Sequence, residues 1–252
     1  LEWRQRHMPF FIRRLLVARF ESSIYAFRKT LTSIIASIDN VFNYIEVLNG
    51  VPVMKKWGLP NIEDIFDDEN DDRSEEILRV KEIIDAKDGI LIPKNELNAD
   101  FLNELQSDKE FLQELLDEWA QVKEDPKLDN FVDKIKEIQS EDLGRKIVVF
   151  SMFADTVEYL KDKLGERVLV VTWKHKTDKL KKEIKLNFDA WVDASLQKND
   201  YDILLGTDAI SEGYNLHRAG VVINYDIPYN PTKVIQRIGR INRINKKVFD
   251  KL

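Results

Sequence analysis

The sequence of 252 residues contains no cysteine and only three histidines. The absence of cysteine excludes disulfide bonds and thiolate zinc sites, and it is typical of a reducing compartment. The histidines, His7, His175 and His217, are too scattered along the chain to predict a metal site. No stretch approaches the run of about eighteen apolar residues that a membrane-spanning helix needs. No secretory pattern of basic, apolar and small residues opens the chain. We therefore expect a soluble protein that is not exported and has no membrane partner.

The net charge of -6 is distributed very unevenly. Residues 1–60 carry 9 basic and 4 acidic side chains, residues 61–143 carry 10 and 27, and residues 144–252 carry 20 and 14. Because the binding of charged partners depends on where charge lies, the acidic middle is a separate kind of surface. We predict an N-terminal helical segment over 1–60, an acidic helical insertion over 61–143 and an α/β domain over 144–252, to which the first segment is joined.

The segment from residue 12 to residue 48 contains neither proline nor glycine. Its apolar residues recur at spacings of three and four, which predicts one long amphipathic helix, or two in line, that ends at "NGVP". Helical spacing also continues through the acidic insertion, for example at Phe101, Leu105 and Leu112. The insertion therefore reads as a solvated helical hairpin. The alternative reading is an acidic module that covers a basic groove by mimicking nucleic acid.

From residue 144 onwards, short apolar segments alternate with helical patterns. The apolar segments are "KIVVF", "RVLVV", "DILLGT" and "VVINYD". Strands that are apolar throughout and alternate with helices indicate a parallel sheet covered by helices on both faces. In such sheets the chemistry lies beyond the carboxyl ends of the strands.

Small polar residues lie at the ends of these four predicted strands, which makes them candidate ligand contacts. The ends of the first three are Ser151, Thr172 and Thr207, and the fourth strand ends in "NYDIP" at 224–228. The turn after Thr207 adds Ser211 and Gly213. Backbone N–H groups and hydroxyls at such a turn suit a phosphate. Polar strand ends are also common in any α/β domain, so both readings stay open at this point.

The segment "YNPTKVIQRIGRINRI" predicts a helix capped by Asn230. We expect Val234, Ile235 and Ile238 to pack inward. Gly239 lies inside this helix and costs about 1 kcal/mol relative to alanine, which suggests a close approach or a helix end there.

Three arginines at a spacing of three lie in the same segment: Arg237, Arg240 and Arg243. Planar guanidinium groups on a rigid element suit the oxygens of a triphosphate, where an arginine neutralises charge that develops in phosphoryl transfer. The alternative is a solvated basic end of a helix.

Four segments in order carry a specific resemblance. "DILLGTDAISEGYNL", "VVINYDIPYNP" and "QRIGRINRI" resemble motifs V and VI of superfamily 2 helicases, "KIVVFSMFADTVEYL" is similar to their motif IV segment, and "RFESSIYAFRKTL" resembles the helical stretch before it. The resemblance covers residues 10–48 and 144–247. It is nearest to the Swi/Snf-type group, and within that group to the bacterial RapA-like translocases and their helicase relatives.

The resemblance implies a motor of two RecA-like lobes, with ATP and Mg²⁺ clamped between them and DNA lying across both. This chain is similar to the second lobe only, because it has neither a phosphate-binding loop nor an acidic box for magnesium. It begins with Leu1 and ends in "NKKVFDKL". We expect it to be a piece of a longer protein that hydrolyses essentially no ATP alone. We also expect a cytoplasmic location, associated with the nucleoid if the protein is bacterial.

The resemblance also implies roles for individual residues. Arg240 and Arg243 match the arginine fingers that reach the γ-phosphate held by the other lobe. The residues expected to bind or couple ATP are Gln236, Arg237, Glu212, Gly213 and Asn215, of which Arg237 lies at a variable position of the motif. The residues expected to face DNA phosphates are Thr207, Ser211, Ser151 and Thr172.

The chain departs from the family pattern at two places. After "VLVVT" it has "WKHKTDKLKK" where many members have a glycine turn. Lys174 and Lys176 are candidate DNA contacts there, and a solvated helix face explains them equally well. The ending "INRINKK" lacks the usual "H-R-I-G-Q". The coupling role that the family gives to the residues after motif VI is therefore not assigned to this chain.

We therefore predict the second RecA-like lobe of an ATP-driven translocase or helicase that acts on double-stranded DNA. Its partners would be duplex DNA and the first lobe of the same protein. One alternative is the lobe of an RNA helicase. The other is a non-catalytic scaffold that binds a protein through the acidic insertion.

Overall fold

The computed structural model describes residues 2–54, 73–142, 144–172, 177–210 and 213–242. The helices within these ranges are α1 (Glu2–Ser22), α2 (Ile24–Leu48), α3 (Arg73–Ala86), α4 (Phe101–Gln121), α5 (Pro126–Glu141), α6 (Ala154–Leu164), α7 (Asp178–Phe188) and α8 (Pro231–Ile241). The strands are β1 (Gly50–Val53), β2 (Ile90–Pro93), β3 (Lys146–Phe150), β4 (Val168–Val171), β5 (Ile203–Gly206) and β6 (Ala219–Asn224). None of the described helices is long and apolar enough to cross a membrane.

The chain divides into two compact units. The first comprises Leu1–Lys29 with Lys123–Leu252, and the second is Thr30–Val122. The domain boundaries predicted from the sequence remain a prediction. Helix α5 falls inside the predicted acidic insertion, and its buried side chains belong to the hydrophobic core around β3.

The first unit contains a four-stranded sheet in the order β4-β5-β3-β6, with every pair of neighbours parallel. Each strand is short and rich in β-branched or other apolar residues. Every residue of β3 and β5 is buried, and so is most of β4. A sheet with two buried faces reads as continuous apolar runs instead of an alternating pattern. The predicted α/β fold with a parallel sheet is confirmed.

Two hydrophobic cores lie on opposite faces of this sheet. Alternate residues of a strand point to opposite faces, so Ile147 and Val149 pack with α5 and α6 on one face. Val148 and Phe150 pack with α7 and with part of α8 on the other face. Helices therefore cover both faces of the sheet, as the sequence predicted.

The N-terminal helical segment consists of two helices, α1 and α2, and α2 ends at Leu48, just before "NGVP". The break falls at Ser23, whose hydroxyl oxygen accepts a hydrogen bond from the Ala26 backbone N–H at 3.0 Å. A serine in this position caps a helix because its side chain satisfies an N–H group that has no partner within the helix.

The second unit contains a two-stranded sheet that sequence reasoning missed. Strands β1 and β2 pair antiparallel, with Gly50 opposite Pro93 and Val53 opposite Ile90. A small core of Tyr44, Val80 and Ile84 accompanies α2 and α3. The sequence does not predict this pairing, because a partner strand so distant in sequence leaves no local signal.

Helix α8 begins as predicted and turns a different face inward. The Asn230 side chain accepts a hydrogen bond from the Thr232 N–H at 2.9 Å, and Pro231 opens the helix. The prediction that Ile235 and Ile238 pack inward is wrong: they are 70% and 46% exposed. Val234 is half-buried. The side chain that α8 buries completely is Arg237.

Candidate nucleotide and nucleic-acid site

The carboxyl ends of the four parallel strands meet at one edge of the sheet. Gly206 pairs in register with both Phe150 and Val171, and Phe150 pairs with Asn224. The residues that follow these strands are Ser151, Thr172, Thr207 and Tyr225. The structure therefore brings the predicted strand-end residues together at one edge, where α/β proteins bind ligands.

Ser151 and Thr172 are buried at this edge, with exposed fractions of 0% and 1%. The Ser151 hydroxyl donates a hydrogen bond to Oδ2 of Asp226 at 2.5 Å. Contact between either hydroxyl and a nucleic-acid phosphate would require this edge of the sheet to open. The predicted phosphate role of both residues stays a prediction.

Asp226 is the centre of a polar cluster that sequence reasoning did not single out. Besides Ser151, its carboxylate accepts hydrogen bonds from the Met152 backbone N–H at 2.9 Å and from the Ser22 hydroxyl at 3.0 Å. The Lys127 ammonium donates to the other carboxylate oxygen at 3.2 Å. A carboxylate that is 7% exposed is tolerated in the interior because charged and polar donors surround it. This cluster ties α1, α5 and β3 to the end of β6.

Thr207 begins the segment that leads away from β5. It is half-buried, and its backbone N–H donates to the Val171 carbonyl at 3.3 Å. A short 3₁₀ turn follows at Asp208–Ile210. Gly213 has a φ of +86°, a left-handed conformation that strains any residue with a side chain. Asn215 is half-buried a little farther along. Ser211 and Glu212, which the sequence assigns to this site, lie outside the described residues.

Arg237 occupies the interior between α8 and the strand ends. Its Nε and Nη2 groups donate to Oδ1 of Asp208 at 3.1 and 2.6 Å, and its Nη1 group donates to Oδ1 of Asn224 at 2.6 Å. The guanidinium also lies over the Phe150 ring, 4.7 Å from its centre. The sequence grouped Arg237 with the nucleotide contacts. In the structure it is 0% exposed and serves as an internal ion pair.

Asp208 receives a second cation from the surface. The Lys233 ammonium donates to Oδ2 of Asp208 at 2.6 Å and is about half exposed. Burial raises the pKa of Asp208, but the hydrogen bonds from Lys233 and Arg237 outweigh it, so the pKa ends below its usual value. Asp208 is therefore held as a carboxylate. The sequence does place Asp208 at the end of a strand and a row of arginines on a later helix. Together these two features could have indicated an ion pair.

Gln236 and Arg240 are four residues apart on α8 and share a face of the helix. Gln236 is exposed and Arg240 is half-buried. Within the described ranges, no carboxylate pairs with the Arg240 guanidinium. A side chain built onto Gly239 would meet open space in the same part of the structure. Arg243, the second predicted arginine finger, lies outside the described residues, as do Lys174 and Lys176.

Residues 127–245 match the family model described as the helicase conserved C-terminal domain. The chain is 30% identical over 141 residues to YqhH, an uncharacterized ATP-dependent helicase of Bacillus subtilis strain 168. This alignment covers 56% of this chain and 23% of YqhH. It is 29% identical over 129 residues to the ATP-dependent RNA helicase eIF4A of Phaeosphaeria nodorum strain SN15, with coverage of 51% and 30%.

Among solved structures, the chain is similar to the C-terminal part of the Fun30 ATPase domain. That match has 20% sequence identity and a TM-score of 0.38, and it covers 73% of this chain and 55% of the other.

The sequence matches support a helicase C-terminal domain of a superfamily 2 helicase in this part of the chain. The resemblance predicted from the motifs is confirmed at that level. The chain spans less than a third of the length of the curated relatives it matches. Those relatives include a protein named as an ATP-dependent RNA helicase.

Proposed function

We propose that this chain supplies the second RecA-like lobe of an ATP-dependent DNA translocase or helicase of the Swi/Snf type. One observation carries the proposal: Arg240 is half-buried, has no acidic partner in the described part of the chain and shares a helix face with the exposed Gln236. The buried Arg237 fixes that helix to the sheet edge. An arginine that is held in position without a carboxylate suits the oxygens of a polyphosphate.

Arg240 and Arg243 are the residues we assign to the γ-phosphate of ATP, with Gln236 beside them. Bound ATP with Mg²⁺ supplies the phosphoryl group whose transfer to water drives movement. Arg240 would neutralise charge that develops on this group, because a guanidinium carries donors only and stays protonated. Gln236 would sense whether the nucleotide is in place. Both roles require a first lobe that holds the nucleotide.

The carboxylates at this edge do not fit a magnesium ion. Asp208 already accepts from Lys233 and Arg237, and Asp226 accepts from four donors. No cluster of three potential metal ligands exists among the described residues. We therefore assign Mg²⁺ to the first lobe. This lobe contributes cations and hydrogen-bond donors.

Nucleic acid is proposed to lie along the segment that starts at Thr207. Thr207 and Ser211 would donate hydroxyl hydrogen bonds to backbone phosphates, while Gly213 and Asn215 shape the turn, with Glu212, toward the nucleotide. Lys174 and Lys176 would add charge to the same contact. Phosphate contacts position a protein on nucleic acid without reading its sequence, so base identity should matter little.

DNA is favoured by the resemblance of the motifs to the Swi/Snf-type group. An RNA helicase is a second candidate, because one relative that aligns over half of this chain is named an RNA helicase.

The acidic segment is a proposed contact site for a partner protein. Helix α4 buries none of its residues within the described structure, although it carries apolar side chains such as the 66%-exposed Phe111.

ATP hydrolysis by the intact protein tests this function. Turnover would be measured alone and with duplex DNA, single-stranded DNA or RNA of matched length, with this chain by itself as a control. We expect stimulation by duplex DNA and essentially no hydrolysis by the chain alone. Stimulation by RNA only would support the RNA helicase. Hydrolysis that no nucleic acid stimulates would rule out the motor, and no hydrolysis by the intact protein under any of these conditions would support the non-catalytic scaffold.

A further inference from the structure

Helix α4 has one apolar side that is partly covered. Leu105, Leu112 and Trp119 recur at a spacing of seven residues, and each is half-buried. The Lys109 ammonium lies on the same side and forms an ion pair with Asp39 of α2. Residues at this spacing share one side of a helix. This side of α4 therefore faces the rest of the second unit.

A second, exposed side of α4 carries one aromatic residue among carboxylates. Phe111 is 66% exposed. Exposed acidic residues surround it at spacings of three and seven, and with Phe111 they define the Phe111 face of α4: Glu104, Asp108, Glu114 and Glu118. Among the described residues, the lysine of α4 pairs with α2 and none of these four carboxylates has a cationic partner.

The residues of the Phe111 face work against the helix that carries them. Phenylalanine is a weaker helix former than alanine, and at an exposed position no packing compensates for it. Carboxylates four residues apart, such as Glu114 and Glu118, repel each other along a helix. Glu118 also lies in the last turn, where the helix end carries a partial negative charge and α4 has no basic residue. Residues that break local rules without a gain for the fold are typical of functional surfaces.

A cationic partner relieves each of these unfavourable terms. An ammonium or guanidinium group can lie over the Phe111 ring while it pairs with neighbouring carboxylates. The same cations complement the negative end of the helix. Nucleic acid is repelled by the Phe111 face, and a second copy of this chain would bring a face of the same charge. Charge complementarity therefore favours a basic segment of another protein.

We infer that the Phe111 face of α4 docks a lysine- or arginine-rich segment of a partner protein. The inference rests on the protein contact proposed for the acidic segment, and it gives that partner a chemical class. Phe111 is the anchor, because aromatic side chains that become buried supply much of the binding energy of an interface. The surrounding carboxylates attract the basic segment and fix its orientation.

Binding of a fluorescently labelled, arginine-rich peptide with a central leucine tests the inference on the intact protein. Its affinity is measured by fluorescence anisotropy at several salt concentrations, and an aspartate-rich peptide of equal length is the negative probe. The variants are Phe111→Ala, Phe111→Leu and the double variant Glu114→Gln with Glu118→Gln. Trp191→Ala is the matched aromatic control, because Trp191 is 56% exposed in the loop after α7. Glu46→Gln is the matched carboxylate control, because Glu46 is exposed on α2.

We expect Phe111→Ala to weaken binding of the arginine-rich peptide by about tenfold. Phe111→Leu should weaken it less, because leucine keeps an apolar contact and loses only the attraction between ring and cation. The double glutamine variant should bind more weakly at low salt and show a flatter salt dependence. Both control variants should bind like the unmodified protein. Far-ultraviolet circular dichroism should be unchanged in every variant, because all the replaced side chains are exposed.

Other results would overturn the inference. They are equal binding by Phe111→Ala and the unmodified protein, losses of the same size in the control variants, or equal binding of the aspartate-rich peptide. If the unmodified protein does not bind the peptide and Phe111→Ala raises its affinity for DNA, the face covers a basic surface of this same protein. ATP turnover is measured in parallel. A protein that binds the peptide through Phe111 but is not stimulated by nucleic acid would refute the proposed motor and leave the docking face in place.

Discussion

The Lys127 ammonium lies 3.2 Å from Oδ1 of Asp226 and also donates to the carbonyls of Glu21 and Ser22, at 2.8 and 2.9 Å. One side chain of α5 thus joins the end of α1 to the end of β6. Lys127 falls within the acidic segment that the sequence set apart from the α/β domain. Its contacts belong to the interior of the unit that contains the sheet.

Asp226→Ala should destabilise this unit strongly. The substitution leaves the donors of Ser22, Ser151, Met152 and Lys127 without their shared acceptor. We expect a loss of about 2–4 kcal/mol in the free energy of unfolding, measured by urea denaturation.

Lys127→Met is the matched control for Asp226→Ala. Lys127 is 40% exposed and makes one of the four contacts to Asp226, and its hydrogen bonds to the Glu21 and Ser22 carbonyls are lost with it, so its removal should cost less than the loss of Asp226. Equal losses for the two variants would contradict the view that Asp226 is the centre of the cluster.

Arg240→Ala should abolish nucleic-acid-stimulated ATP hydrolysis in the intact protein and leave nucleic-acid affinity nearly unchanged. Loss of an arginine finger is expected to lower turnover by about 10³-fold or more. Arg145→Ala is a suitable control, because Arg145 immediately precedes β3 at the opposite edge of the sheet and makes a surface ion pair with Asp142 at 3.7 Å. Retained turnover in Arg240→Ala would contradict the assignment of Arg240 as an arginine finger.

Much of the fold could be predicted from the sequence because its signals are local. The four parallel strands are short and mostly apolar, and the Asn230–Pro231 start of α8 is a local capping pattern. Which arginine of α8 is buried could not be predicted. That choice depends on Asp208 and Asn224, which only the folded sheet brings to Arg237. The spacing of three arginines looks the same whichever one turns inward.

Tyr225→Phe should leave the protein as stable as before or stabilise it by up to about 1 kcal/mol. The Tyr225 hydroxyl is buried and has no hydrogen-bond partner among the described residues. Burial raises the pKa of Tyr225, so the group stays a neutral hydroxyl. Its ring contact with Phe131, at 5.0 Å between centres, is retained in phenylalanine.

Tyr159→Phe provides the comparison, because its hydroxyl donates to Oδ2 of Asp125 at 3.2 Å. Burial and the neighbouring Asp125 raise the pKa of Tyr159 to about 12. We expect a loss of about 1 kcal/mol for this variant in the same urea titration. A larger loss for Tyr225→Phe than for Tyr159→Phe would indicate a partner for Tyr225 that the described residues do not provide.

Lys146 should make stability rise with pH above about pH 8. Burial, together with the nearby Arg218, lowers the pKa of Lys146 from 10.5 to about 8 in the folded protein. Between these two values the unfolded chain binds the proton more tightly than the folded one, so the free energy of unfolding increases with pH through this window. Below about pH 8 the charged side chain is buried at a cost.

Lys146→Met should flatten this rise in denaturation curves measured between pH 7.5 and pH 10.5, and the exposed Lys161→Met of α6 should not. The comparison matters because other groups also titrate in alkaline solution. An unchanged pH profile in Lys146→Met would mean that the Tyr201 carbonyl, which accepts from Lys146 at 2.5 Å, holds the ammonium charged throughout.

The Gly239→Ala variant tests why a glycine lies inside α8, where the sequence suggested either a helix end or a close approach. The helix continues to Ile241, and Gly239 has no positive φ, so the residue does not serve as a helix end. A Cβ atom there would meet open space within the described structure. On helix propensity alone, alanine should therefore stabilise the protein by about 1 kcal/mol.

The same substitution should lower ATP turnover if the glycine provides room for the nucleotide or the first lobe beside Arg240. We expect Gly239→Ala to raise the urea midpoint and to reduce nucleic-acid-stimulated turnover in the intact protein. The exposed Gln236→Ala, on the same helix, should leave stability nearly unchanged and provides the baseline for propensity. A Gly239→Ala protein that is both more stable and fully active would show that nothing approaches this face of α8 during turnover.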